Sequence, residues 1–96
     1  DDPTLPTAEM APRLTPNPFS APVRLSFDAP KGETQARVCI YNAKGQKLSE
    51  LQRSLDPGCN EIRLDPASLG LGSSGVYFFR IQIGTRTGLV KGLFIR

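Results

Sequence analysis

The chain has no histidine and no tryptophan, a single methionine, and only two cysteines, Cys39 and Cys59. Without histidine, and with no CxxC pair, most zinc sites and most nucleophile–base pairs are excluded together. The two tyrosines and five phenylalanines are too few and too scattered for a row of rings that stacks on sugars or bases. No stretch approaches the ~20 apolar residues that a membrane-crossing helix needs. No run of ten or more residues carries helical periodicity either. Gly70-Leu71-Gly72 leads towards a strand rather than a helix, which removes a phosphate-cradling loop on context. Acids end at Asp65, while Arg80, Arg86, Lys91 and Arg96 follow.

What is present fits one small globular domain. Of the 96 residues, 39% are apolar and 22% charged, with nine glycines and nine prolines, a composition of many turns rather than of long helices. The net charge of +3 is uneven. Residues 1–12 hold Asp1, Asp2 and Glu9 without a base, a net of −3, and the remainder holds twelve bases against six acids, a net of +6. A basic C-terminal third favours anionic partners, but four cations spread over two strands are also what solvated strand faces and charge-protected edges look like. The remaining acids, Asp28, Glu33, Glu50, Asp56, Glu61 and Asp65, fall in turns or on outward faces, scattered rather than paired. Acid–base catalysis is therefore not expected.

Residues 1–13, DDPTLPTAEMAPR, contain three prolines and no periodic apolar pattern. They read as a semi-extended linker from an upstream domain. Asp1, Asp2 and Pro3 are the wrong chemistry for the basic start of an export signal, which is expected further upstream. Period-two alternation then takes over. Val23, Leu25 and Phe27 alternate with polar residues, as do Ala36, Val38 and Ile40. Asn60, Ile62 and Leu64 do the same, as do Tyr77, Phe79, Ile81 and Ile83. Asn42–Gly45 predicts a tight connection with Gly45 at positive φ, and the three-residue spacing of Leu48 and Leu51 predicts a bulge on a shorter strand. Pro66–Gly75 reads as a Gly/Ser-rich loop, Gly84–Gly88 as a turn, and Leu89–Ile95 as the last strand, with a further strand near Leu14–Phe19.

The fold expected is all-β: an immunoglobulin-like antiparallel β-sandwich of about seven strands in two sheets over residues 14–96. Its expected core is Val23, Leu25, Phe27, Val38, Ile40, Ile62, Leu64, Tyr77, Phe79, Ile81 and Leu93. Cys39 and Cys59 both fall on outward-facing positions of strands expected in opposite sheets, too far apart to bridge.

From Leu14 to Arg96 the chain resembles the C-terminal sorting domains of the type IX secretion system, and also the Ig-like domain of flagellar hook-capping proteins. Four pieces match in order: Asn17-Pro18-Phe19 before an alternating strand, and Val38-Cys39-Ile40-Tyr41-Asn42 leading to Gly45 and Leu48. Gly58 then precedes Ile62 and Leu64, and SGVYFFRI, Ser74–Ile81, is followed by the basic strand GLVKGLFIR. Leu64, where the family often has Trp, and Gly92, where an apolar residue is more usual, depart from the pattern.

The resemblance implies a non-catalytic module that directs a larger exported protein through the periplasm and across the outer membrane. It implies no cofactor. The implied partner is the outer-membrane secretion machinery. The basic C-terminal third adds anionic lipopolysaccharide at the cell surface as a candidate, and nucleic acid, which needs a denser basic patch interleaved with aromatics, is not expected. Lys91, Gly92, Leu93, Phe94, Ile95 and Arg96 are the candidates for direct reading, through backbone added to a strand edge. Asn17, Pro18, Gly45, Gly75 and Tyr77 read as fold determinants: a turn, positive-φ or kink positions, and a tyrosine corner. The same pattern leaves open an accessory Ig-like or carbohydrate-binding module of a secreted glycoside hydrolase or adhesin, in which Tyr41 and Phe78 are the aromatics left outside.

Overall fold

Alternating residues can bury one face only against another such face, and the chain builds two sheets that do so. The structure, a computed structural model, describes residues 11–96. One sheet has three strands in the order β1 (Arg13–Thr15), β2 (Val23–Asp28), β5 (Cys59–Leu64). The other has four, in the order β4 (Lys47–Ser54), β3 (Gln35–Asn42), β6 (Gly75–Ile83), β7 (Arg86–Phe94). Every pairing within the sheets is antiparallel, the expected immunoglobulin-like sandwich. The linker reading of residues 1–10 lies outside the described residues, and β1 opens at Arg13, one residue before the expected boundary.

Turn chemistry joins the strands as their residues dictate. Between β3 and β4 the Asn42 carboxamide accepts from the backbone N–H groups of Lys44 (3.0 Å) and Gln46 (2.9 Å), and Gly45 takes φ 86°. Local side-chain bonding of this kind is what makes Asn a turn residue. At the start of β5, buried Asn60 accepts from the Asp56 amide (2.8 Å) and donates to the carbonyls of Asp56 (2.9 Å) and Gly58 (3.0 Å). Its burial is therefore compensated by three hydrogen bonds.

The core lies between the sheets. Ten of the eleven expected core residues are buried in it, joined by Leu14, Phe19, Ala36, Leu69, Leu71, Ile83 and Phe94. Leu93 is the exception, 40% exposed. Its register partner is Val76 on the outer face of the sheet, so the inward positions of β7 are Gly88, Gly92 and Phe94, with Val90 half-buried on the same face.

Several elements differ from expectation for local reasons. β4 is eight residues long rather than short, and the register step between Ile40↔Ser49 and Tyr41↔Lys47 leaves Leu48 as the bulged, exposed residue. The turn before β7 shrinks to Gly84-Thr85, with the ladder already closed at Ile83↔Arg86. The Gly/Ser-rich loop contains one helical turn, α1 (Pro66–Leu69). Asp65 caps it by accepting from the Ala67 amide (3.1 Å), Pro66 starts it, and Gly70 ends it at φ 80°. These are ordinary start and stop residues for a helix, and the turn buries Leu69.

Candidate recognition surface

The surface around β7 is set by a short segment from the other end of the chain. After β1, with the peptide bonds before Pro16 and Pro18 both cis, residues 17–19 run along the outer edge of β7. The Asn17 side chain acts there as a piece of strand, donating to the Lys91 carbonyl (3.0 Å) and accepting from the Leu93 amide (3.0 Å). Phe19 continues the pairing through backbone. Its amide donates to the Leu93 carbonyl (2.9 Å), and its carbonyl accepts from the Ile95 amide (2.8 Å). The Phe19 ring is buried against Phe94 (centroids 5.4 Å) and Phe79 (6.3 Å). The motif expected as a turn is thus an edge cover. Its spacing in the sequence shows no partner because the partner lies 74 residues away.

That arrangement divides the six candidate recognition residues. Lys91, Leu93 and Ile95 face solvent, while Gly92 and Phe94 face the core. Arg96 is exposed but tied down: its amide donates to the Ser74 hydroxyl (2.8 Å) and its guanidinium donates to the Gly72 carbonyl. The backbone of Lys91–Ile95 is therefore not an open edge. The open part lies earlier in β7. Alternation of the antiparallel ladder turns the peptide groups of Thr87 and Leu89 to the same side as those of Leu93, and among the described residues nothing bonds them there. Among the described residues Leu89 is the most exposed large apolar one, at 58%, with Ile95 at 49%.

The outer face of the four-stranded sheet flanks this edge. Register places Val76 beside Leu93, Tyr41 beside Phe78 beside Lys91, and Cys39 beside Arg80 beside Leu89. Tyr41 and Phe78, the aromatics expected outside, are half-buried. The Arg80 guanidinium lies over the Tyr41 ring, 5.6 Å from its centroid, so that ring face is already occupied. Cys39 sits on this face yet is buried, shielded by its neighbours rather than by the core. Beside it Glu50 bonds Lys47 and lies 3.4 Å from Arg37. The hydrogen bond from Lys47 holds the Glu50 carboxyl below its ordinary value, and the same bond raises Lys47.

The remaining motif residues lie away from this edge. The Tyr77 hydroxyl donates to the Ser73 carbonyl at 2.6 Å, a tyrosine corner that pins the loop before β6. Gly75 opens β6 at φ 156°. Cys39 and Cys59 are free, in strands of opposite sheets, the first buried and the second exposed. No cluster of His, Cys, Asp and Glu suited to a metal ion occurs among the described residues. Among them no helix is long and apolar enough to cross a membrane.

A comparison with curated proteins found no match. A comparison with family models matched residues 13–96, the whole sandwich from the first residue of β1, to the family described as the secretion system C-terminal sorting domain. The chain therefore belongs to that family, the non-catalytic sorting signals that mark proteins for type IX export across the outer membrane to the cell surface or beyond.

Proposed function

We propose that the secretion machinery reads this domain as a folded module, at the outer face and open edge of β7, and that the domain does no chemistry of its own. The observation that carries the reading is the composition of one strand side. Leu89, Lys91, Leu93 and Ile95 all leave the core there, and earlier on the same edge the backbone groups of Thr87 and Leu89 are bonded by no described residue. A strand added at Thr87–Leu89 would draw affinity from main-chain hydrogen bonds and selectivity from the alternate side chains. Lys91 and Arg80 would steer an anionic partner, an effect that fades with salt. Anionic lipopolysaccharide is the surface partner of this reading, and residues ahead of β1 act as its linker to an upstream domain.

Removing Lys91–Arg96 altogether would not test recognition, because it also removes the buried Phe94. The test is the whole chain fused to a periplasmic reporter, in a bacterium with this secretion system. The parent fusion should appear outside the cell. Leu89→Asp combined with Lys91→Glu should hold it in the periplasm while leaving the melting temperature within a few degrees. A folded parent fusion retained inside defeats the reading as a whole. Export of the folded double variant at the parental level moves recognition away from β7.

A further inference from the structure

On the opposite sheet, register places Arg24 of β2 directly across from Arg63 of β5, with Thr15 of β1 on the other side of Arg24. All three are exposed on the outer face. Side chains directly opposite on an antiparallel pair have Cβ atoms about 4.5–5.5 Å apart, and like charges there are destabilising. The structure offers these two guanidinium groups no relief. Among the described residues neither Arg24 nor Arg63 has an ion pair or hydrogen bond. Of the carboxylates on these strands, Glu61 lies in the next row with Ser26 and Arg13, and Asp28 lies in the row beyond it. Asp65, which follows β5, is already engaged in capping α1.

We infer that the Thr15–Arg24–Arg63 row is a binding site for a phosphate group. A tetrahedral oxyanion presents enough acceptors to take a forked pair of N–H groups from each of two guanidiniums at once, which is the geometry in which arginine binds phosphate best. The Thr15 hydroxyl stands in the same row as a further donor. Such a ligand would reverse the repulsion between the two arginines, so binding and stability are coupled. The phosphate comes either free or on a lipid headgroup. The site is on the three-stranded sheet and is independent of how β7 is read.

The experiment uses the full chain labelled with ¹⁵N, titrated with inorganic phosphate at ionic strength held constant with chloride, following the arginine Nε–H signals. Arg24 and Arg63 should shift saturably while Arg80 and Arg53 do not. Arg24→Gln and Arg63→Gln should each weaken binding about tenfold, and Arg80→Gln should leave it unchanged. Phosphate should raise the melting temperature of the parent but not of the Arg24→Gln variant. Co-sedimentation with phosphatidylglycerol vesicles but not with phosphatidylcholine vesicles, lost in the same two variants, identifies a headgroup source; binding of phosphate without sedimentation identifies a soluble one. Equal small shifts at all arginines, or unchanged binding in both glutamine variants, overturn the inference.

Discussion

A methyl group at position 92 would lie 2.7 Å from Cδ1 of Leu14, 3.0 Å from Cε1 of Phe19 and 3.2 Å from Cε1 of Phe79. The glycine is there because the facing sheet and the edge segment fill its space. Gly92→Ala should therefore cost about 1–3 kcal/mol, the usual penalty of overpacking, and Leu14→Ala in the same chain should recover part of it in urea unfolding. Phe79 is fully buried between the Phe19 ring and the sheet, and Phe79→Ala should cost about 3–5 kcal/mol. An unchanged melting temperature for that variant would contradict the described core. At Glu50 the argument is electrostatic. Its carboxyl is lowered from 4.5 by the hydrogen bond from Lys47, so its contribution is present above pH 4.5 and lost as pH falls below it. Lys47 is raised from 10.5 by the same bond, so its contribution is present below pH 10.5 and lost above it. Both groups are exposed, which makes the effect small. The stability difference between the parent and Glu50→Gln should be visible near neutral pH and shrink as pH falls below 4.5.

At the level of elements, β7 has two halves with different edges, and hydrogen exchange should separate them. The amides of Leu93 and Ile95 donate to Asn17 and Phe19, whereas those of Thr87 and Leu89 have no described acceptor on that side. The first pair should be protected close to the global unfolding limit and the second should exchange fast. Asn17→Ala removes two hydrogen bonds on an exposed edge, for an expected loss of about 1–2 kcal/mol. It should also deprotect Leu93 while leaving Ile95 slow. Equal protection along the whole strand would show the edge to be covered throughout.

Across the whole molecule, the two sheets keep the thiols apart. Native protein should react at one thiol, Cys59, and denatured unreduced protein at two. No reactive thiol in the denatured protein would mean a disulfide and a different strand order. The sandwich, most turns and ten of the core positions were legible in the sequence, because alternation has an unambiguous parity wherever the other face is polar, as in VRLSFD or CNEIRL. The bulge at Leu48 and the tyrosine corner of Tyr77 were legible too, since each depends on residues close in the chain. The capped turn α1 was hidden although Asp65, Pro66 and Gly70 signal it, because four residues are too few to show a period.

The last strand marks where local pattern stops deciding. In GLVKGLFIR the odd positions offer Leu89, Leu93 and Ile95 with one lysine, and the even positions offer Val90 and Phe94 with two glycines, Gly88 and Gly92, and Arg96. By hydrophobicity the odd set looks inward, which is why Leu93 was expected in the core. The structure turns the even set inward, because Leu14, Phe19 and Phe79 converge where residue 92 faces and leave room only for a hydrogen atom. The sequence by itself determined the strands, their turns and, through its ordered motifs, the family. Which side of β7 meets the solvent was decided by packing against Phe79 of the next strand and Leu14 and Phe19 more than seventy positions away, and that Asn17 and Phe19 close half of its edge by contacts of the same long range. No local periodicity carries contacts of that range.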